Sequence, residues 1–295
     1  MSERPVSQDE VISMAEQLPS FPSIITEILA SLDDPEANLK ILASFIQLDP
    51  IITARVLSVA NLAAAHTRRA AAVKDIYTAT SLIGMSRVRE MALISSIGGY
   101  LDHLAPGNAG VRFWQHSVSV GVCAVEVALH IATPVSVDMA LISGLLHDVG
   151  QLWLYRFRPN AFLAALSTAQ NERRSIEQVE LEYFRVNHCV IGRWLANHWA
   201  LPSSIGRAID GHHNPDAQLD DPIVPIVHIA EVLCNALDLG DRPENRVSHI
   251  STAACSKLGL TWDDGVAPLF GRIDARSRHA NAFFHTPASA SISAA

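Results

Sequence analysis

The chain has 295 residues, of which 49% are hydrophobic, and a formal net charge of −8 at pH 7. This length and composition provide enough apolar surface for one large core or two moderate ones. The acidic balance argues against a general nucleic-acid binder, because such proteins usually carry a strongly basic face.

The N-terminus and the cysteines favour a cytoplasmic protein. The opening stretch MSERPVSQDEV lacks the apolar segment of a signal peptide, and Glu126 and His130 interrupt the longest apolar run, so we expect no membrane span. The four cysteines are widely spaced and form no C-x-x-C pair. This spacing favours small buried hydrophobes in a reducing compartment over a zinc knuckle or a redox motif.

Helical periodicity dominates the chain and alternating strand patterns are scarce, so we predict an all-α fold. In LDPIITARVLSVANLA, Asp49 is placed to cap a helix, and Pro50 occupies the first turn, where a missing amide proton does no harm. The stretch DIYTATSLIGMSRVREMALISSIGGYL predicts two helices with a break near Ile83-Gly84.

A loop near residues 104–110, LAPGNAG, is the predicted boundary between two parts of one domain that covers residues 11–275. These parts are an N-terminal helical subdomain at 11–105 and a second helical subdomain at 111–240. A C-terminal helical extension follows at 241–275, and a poorly ordered tail rich in Ala and Ser at 276–295. Beyond the loop, we predict helices near residues 111–131, 136–148, 159–171, 175–184, 187–199, 203–213 and 222–238.

Several ionisable side chains fall on apolar helix faces. His116 shares a stripe with Val120 and Cys123, and His188 shares one with Ile191 and Leu195, so both imidazoles are predicted to point inward. The stretch GLLHDVG places His147 and Asp148 side by side at the end of an apolar run, and Glu231 shares a stripe with Val227 and Cys234. His212 and His213 end a predicted helix before Asn214-Pro215.

Each of these side chains also has a purely structural explanation. A single inward histidine is more often a hydrogen-bonded core residue than a metal ligand, and the macrodipole favours histidines such as His212 and His213 at a helix C-terminus. Glu231 could pair with His228, and Asp148 could accept backbone amide protons. A central divalent metal would satisfy all of these groups together, because their nitrogen and oxygen atoms are suitable donors.

The stretches from His116 through His147-Asp148 to His188, His212-His213 and Glu231 resemble the histidine-aspartate (HD) superfamily of metal-dependent phosphohydrolases, especially its HD-GYP branch. The N-terminal stretches LPSFPSIITEILASLDDP, LDPIITARVLSVANLA and VKDIYTATSLIGMSRVREMAL resemble the HDOD family, the HD-related output domain of bacterial signalling proteins. The resemblance covers roughly residues 11–240.

This resemblance implies an N-terminal helical bundle packed on an HD-like helical bundle, and a regulatory role that is often non-catalytic. It also implies two metal-binding sets. His116, His147, Asp148 and Glu231 match one set, with Glu231 in place of the usual aspartate, and they should converge from four helices. His188, His212 and His213 match the additional histidines of the two-metal HD-GYP centre and should line the same cavity.

Three departures from the HD-GYP enzymes bear on activity. HDVGQ stands where those enzymes typically have HDIGK, so Gln151 replaces a lysine suited to holding phosphate. Arg112 stands four residues before His116, where the closest enzymes tend to carry a glutamate ligand. No GYP triplet follows the paired histidines, and the acidic stretch NPDAQLDDP stands there instead.

Three functions remain open, and we expect the first. It is a non-catalytic signalling output or scaffold module that retains a divalent metal such as iron, manganese, zinc or nickel, and is regulated by a signalling protein or a small nucleotide. The second is a metal-dependent phosphohydrolase acting on a nucleotide or cyclic dinucleotide, for which Arg193 and Arg207 are weak candidates to bind phosphate. The third is a nucleic-acid-binding adaptor that uses the locally basic stretch 49–91. The sequence leaves the oligomeric state open.

Overall fold

The computed structural model describes residues 4–30, 35–66, 72–105, 107–239, 249–263 and 266–285. Within these ranges the secondary structure is helical and contains no strand, so the predicted all-α fold is confirmed. No helix in these ranges is both long enough and apolar enough to cross a membrane by itself. The segments Ile41–Leu48 and Ile52–Ala65 pass that test as a pair, but the pair is bent by 110°.

The described residues form two compact units. The large unit comprises residues 4–21 and 100–280, and the small unit comprises residues 22–99 and 281–285. The predicted subdomains, 11–105 and 111–240, divide the chain differently at the N-terminus. In the structure the helix Gln8–Ala15 packs against the helix His188–His198 and therefore belongs to the large unit.

The small unit is built from helices, most of which contact the next helix along the chain. Asp49 accepts a hydrogen bond of 3.1 Å from the backbone N–H of Ile52, as expected for a helix cap. One helix ends and the next begins at Gly84, where φ is +86°. Both features were predicted from the sequence. The helices are α2 Ser23–Ala30, α3 Pro35–Leu48, α4 Pro50–His66, α5 Ile76–Ile83 and the first part of α6 Met85–Leu104.

The large unit surrounds the long helix α7 Asn108–His130, which packs against α8 Val137–Leu146 and α14 Ile223–Ala236. Apolar residues at helical spacing on α7 and α14, including Val120, Val127 and Val227, form its core. The other helices are α1 Gln8–Ala15, α9 Val149–Phe157, α10 Pro159–Glu172, α11 Ile176–Phe184, α12 His188–His198, α13 Ser203–Gly211, α15 Thr252–Leu258 and α16 Ala267–His285.

Two elements differ from the sequence prediction. The predicted helix 136–148 ends at Leu146, the chain turns at His147-Asp148, and the unpredicted helix α9 begins at Val149. In addition, α16 extends to His285, ten residues into the predicted tail, because Ile273, Ser277 and Ala280 are buried along one face. The rest of that tail, residues 286–295, lies outside the described residues, as do residues 241–248 and 264–265 of the predicted C-terminal extension.

Candidate metal centre

The first predicted set of donors converges in the core of the large unit. Nε2 of His116 lies 3.9 Å from Oδ2 of Asp148, and Nε2 of His147 lies 3.4 Å from the same oxygen. One ligand atom from each of His116, His147 and Glu231 lies within 4.8 Å of the others. The donors come from α7, α14 and the turn between α8 and α9, rather than from four helices, because α8 ends before His147.

The second predicted set joins the same cluster. His188 is the first residue of α12, and its Nε2 lies 3.4 Å from Nε2 of His212 and 3.2 Å from Nε2 of His213. His212 and His213 directly follow α13, as the sequence indicated, but both imidazoles turn toward the cluster. The inward positions predicted for His116 and His188 are therefore observed, and both side chains are buried.

Asp148 lies between the two sets. Its Oδ2 faces His116 and His147, whereas its Oδ1 lies 3.4 Å from Nε2 of His188 and 3.7 Å from Nε2 of His212. The side-chain amide of Gln151 donates a hydrogen bond of 2.8 Å to Oδ1. One buried carboxylate thus presents an oxygen to each set.

Hydrogen bonds of the Nδ1 atoms, on the side of each ring that faces away from the cluster, orient three of the imidazoles. Nδ1 of His147 donates to the carbonyl of Gly144 at 2.8 Å, and Nδ1 of His212 donates to the carbonyl of Ile209 at 2.7 Å. Nδ1 of His188 lies 2.6 Å from a carboxylate oxygen of Glu180. Because Nδ1 carries the proton in each case, the Nε2 lone pairs face the cluster, as in metal sites where an outer partner orients the ligand.

A close helix crossing positions His188. A Cβ atom at Gly150 of α9 would lie 2.0 Å from the carbonyl oxygen of His188 and 2.9 Å from the backbone nitrogen of Gly192. A Cβ atom at Gly192 would meet Ile209 of α13 at 2.6 Å. Glycine at both positions therefore lets α9, α12 and α13 meet at the cluster.

Charge in the cluster favours a bound cation. Burial lowers the pKa of His147, but the charge of Asp148 and further contacts outweigh this effect and raise the pKa. Burial also lowers the pKa of His188, yet neighbouring groups that include Glu180 raise it well above its ordinary value. For His212, burial and the adjacent imidazoles together lower the pKa well below its ordinary value, so that this ring stays neutral.

These observations fit a divalent metal. The cluster combines buried carboxylates, which are costly without a cation, with imidazole nitrogens, which are good metal ligands once they have lost their protons. The buried Nε2 of His147 makes no hydrogen bond with any described residue. The site therefore has the donor types, the burial and the oriented lone pairs that a metal ion requires.

Sequence reasoning missed three contributors. Glu180 lies eight residues before His188 and accepts hydrogen bonds from both its backbone N–H and its ring. His228 donates from Nδ1 to the carbonyl of His212 at 2.7 Å and accepts the amide proton of Ser251 at 3.0 Å, so it does not form the suggested hydrogen bond with Glu231. Cys189 contacts the rings of His188 and His212. Of the three, Glu180 could have been suspected from the sequence, because it is a glutamate close in the chain to the predicted metal ligand His188.

A pocket of about 870 Å³ opens beside the cluster, and His213, Glu231 and Gln151 form part of its lining. Its apolar wall includes Phe113, Tyr155, Phe162, Leu163 and Leu166. Arg112 and Arg173 also line it, and neither guanidinium forms an ion pair with a described residue. The pocket therefore combines an aromatic wall, positive charge and access to the candidate metal ligands.

The two weak phosphate-binding candidates lie elsewhere. Arg193 pairs with Asp210 at 3.0 Å, and Arg207 pairs with Asp220 and Asp221. Neither arginine lines the pocket. Each guanidinium is neutralised by aspartates from neighbouring segments of the chain, which a helical pattern cannot reveal.

Comparisons with known proteins agree with this fold. A family model described as the HDOD domain matches residues 18–215. An uncharacterized protein from Treponema pallidum (strain Nichols) is 25% identical over 235 residues, which make up 79% of this chain and 45% of that protein. The chain therefore spans less than half the length of this relative.

Solved structures share the architecture. An HDOD domain protein of unknown function from Geobacter sulfurreducens has a TM-score of 0.70 at 25% identity, covering 94% of this chain and 97% of that one. A protein from Shewanella amazonensis SB2B, named as a candidate phosphohydrolase, has a TM-score of 0.65 at 21% identity, covering 92% of this chain and 95% of that one. The second likeness extends to the fold alone.

Proposed function

Because the chain belongs to the HDOD family, we propose that it is a signalling output module which holds a divalent metal in its buried cluster and does not hydrolyse phosphodiesters. The metal stabilises the large unit by joining helices that are distant in sequence. Metal binding of this kind contributes directly to the free energy of folding, because the assembled site does not exist in the unfolded chain.

The hydrogen bond from Gln151 to Asp148 carries the non-catalytic part of the proposal. Productive attack on a phosphate needs the substrate held in line, about 3 to 3.5 Å from the attacking group. In the resembling enzymes a lysine at this position is suited to holding phosphate. Here the side-chain amide carries no charge and donates one of its hydrogen bonds to the carboxylate of Asp148, so it offers a phosphate less than a lysine would.

The metal would be held by nitrogen and oxygen donors from both predicted sets. His116, His147, Asp148 and Glu231 supply one position, and His188, His212 and His213 supply the other. Such donors accept iron, manganese, zinc and nickel. The outer partners Gly144, Ile209 and Glu180 hold the rings in the orientation that binding requires.

The pocket supplies a route by which a signal reaches the cluster. Its aromatic wall suits a flat ring, and Arg112 and Arg173 suit an anionic group, so the ligand we propose is a small nucleotide. A ligand there would contact His213 and Glu231 and so couple occupancy to the metal centre. A signalling protein that responds to this state is the proposed partner.

The pocket also favours the second candidate function, a metal-dependent phosphohydrolase. In that role a divalent metal held by His116, His147, Asp148 and Glu231 would supply an activated water and would polarise phosphoryl oxygens. This alternative differs from the output module in one measurable property, which is turnover.

The test combines metal analysis with a phosphodiesterase screen on protein purified without an affinity tag. We expect bound metal and no hydrolysis of cyclic-di-GMP or simple phosphodiesters, with iron or manganese supplied. Turnover of about 1 per second, the low end of ordinary enzyme rates, would establish the enzyme if His147→Ala or Asp148→Ala abolished it while Arg207→Ala did not. Absence of any bound metal would contradict the metal-holding part of the proposal.

A further inference from the structure

The side chain of Cys189 lies among the imidazoles of the candidate metal centre. Cys189 is the second residue of α12 and is 3% exposed, as a small buried hydrophobe would be. Its Sγ, however, lies 3.5 Å from Nε2 of His188 and 4.0 Å from Nδ1 of His212. One ligand atom from each of His188, Cys189, His212 and His213 lies within 4.8 Å of the other three.

Three separations between these atoms match the edges of a tetrahedral zinc site. Bonds of about 2.0 to 2.1 Å to nitrogen and about 2.3 Å to sulfur place two nitrogens about 3.4 Å apart, and a nitrogen and a sulfur about 3.6 Å apart. Here the nitrogen pairs His188–His212 and His188–His213 are 3.4 and 3.2 Å apart, and the Sγ of Cys189 is 3.5 Å from His188.

We propose that His188, Cys189, His212 and His213 form a closed four-ligand position that binds Zn²⁺ through three imidazoles and one thiolate. This inference rests on the proposed metal centre and assigns the chemistry of one of its two positions. The other position, at His116, His147, Asp148 and Glu231, offers nitrogen and oxygen only. Thiolate ligands favour zinc over manganese or magnesium, so the two positions differ in metal preference.

Coordination accounts for the buried thiol. Without a cation, burial raises the pKa of the Cys189 thiol to about 11. A coordinated divalent ion deprotonates a thiol outright, and the proton passes to solvent as the metal–sulfur bond forms. Glu180 completes the arrangement, since it holds Nδ1 of His188 and leaves Nε2 for the metal.

A closed position has a consequence for function. Zinc sites with four protein ligands are structural, whereas catalytic sites keep one position open for water or substrate. With Cys189 as the fourth ligand, a zinc ion at this position would join α12 to the residues that follow α13 and would have a structural role. The pocket is lined by His213 of this position and by Glu231 of the other, so a ligand in the pocket would contact one protein ligand of each position.

Cobalt substitution tests this inference without relying on activity. Metal-free protein is titrated with Co²⁺, whose visible bands report coordination and whose near-ultraviolet charge-transfer band reports a thiolate ligand. We expect the thiolate band in the wild type and in Cys255→Ser, a buried-cysteine control in α15, and its loss in Cys189→Ser. Zinc affinity should fall in Cys189→Ser by at least the roughly 10- to 100-fold that loss of an outer partner costs.

The outcomes separate the two proposals. If cobalt binds with nitrogen and oxygen bands but without a thiolate band in the wild type, the Cys189 assignment fails and the metal centre stands. If no metal binds, the metal centre itself fails. If Cys189→Ser does not fold, as judged by circular dichroism, the triple variant Cys123→Ser/Cys234→Ser/Cys255→Ser decides, because Cys189 is then the single cysteine of the chain. A thiolate band in that variant supports the assignment, and its absence contradicts it.

Discussion

The two units of the chain bury very different side chains. In the described part of the small unit the core is aliphatic, and its buried polar groups are Thr80 and Glu90. Thr80 donates to the carbonyl of Ile76, and Glu90 pairs with Arg87, so each has a partner within its own helix. The large unit instead buries five of the cluster's imidazoles and carboxylates almost completely: His116, His147, Asp148, His188 and His212.

This difference shows where the chain carries chemistry beyond folding. Burying a carboxylate or an imidazolium without compensation costs several kcal/mol, so a core made for packing alone avoids them. The large unit departs from that rule most strongly at the cluster, because its buried Glu126 and Asp221 pair with arginines. The departure coincides with the glycine crossings that bring α9, α12 and α13 together.

The largest effect that tests this contrast should come from glycine substitutions in the two units. Gly150→Ala puts a Cβ atom 2.0 Å from the carbonyl oxygen of His188, which belongs to the backbone and cannot turn away. We expect the free energy of unfolding to fall by about 3 kcal/mol or more, because the helices must separate. Metal affinity should fall as well. Chemical denaturation and metal titration measure these two quantities.

Gly99→Ala is the matched substitution in the small unit. Gly99 lies within α6, and a Cβ atom there would meet no described atom within 4 Å. Replacing a glycine inside a helix by alanine should stabilise the protein by about 0.5 to 1 kcal/mol, with metal affinity unchanged. Equal losses of stability in the two variants would contradict the contrast between the units.

Replacing a buried glutamate by glutamine in each unit should have a smaller effect, which is seen in metal affinity. Glu180→Gln keeps a carbonyl oxygen for the N–H groups of His188 but removes the charge behind its ring. We expect metal affinity to fall about 10- to 100-fold, as measured by competition with a chelator. Glu90→Gln, the corresponding change in the small unit, should leave metal affinity unchanged. A loss of affinity in both variants would mean that the effect is general destabilisation.

The smallest effect concerns two helix caps and pH. Asp75 caps α5 and accepts the amide proton of Thr78 at 2.8 Å, which lowers the pKa of Asp75. A lowered pKa means that the stabilisation is fully present above the ordinary aspartate value of about 4 and is lost as the pH falls through the folded value. Asn187 caps α12 in the large unit with a neutral amide that accepts from Val190 at 3.1 Å.

We therefore expect the amide NMR shift of Thr78 to change between pH 7 and pH 2 as Asp75 gains its proton. The cap of Val190 should cause no such change, because the side chain of Asn187 does not titrate. Asp75→Asn should flatten the Thr78 curve while keeping the helix, because asparagine also caps well. A Thr78 amide whose shift stays constant across this range in the wild type would show that the carboxylate does not govern the start of α5.

The sequence by itself determined the all-α class, most helix positions and the inward direction of His116 and His188, because helical periodicity reports directly which face of a helix is buried. Together with the HDOD resemblance, it also brought seven candidate ligands into one list. Periodicity does not report which neighbour a buried face meets. A cysteine on the apolar face of a helix fits the pattern whether its neighbours in the fold are leucines or imidazoles.

Tertiary structure alone decided the remaining features. The turn between α8 and α9 directly precedes the glycine-permitted approach of α9 to α12, which involves residues about forty positions apart. The bond from Gln151 to Asp148, the support of His188 by Glu180 and the contact of Cys189 with His212 depend on rotamers and helix crossings. These arrangements are fixed by packing between helices, and a one-dimensional pattern contains no distance between them.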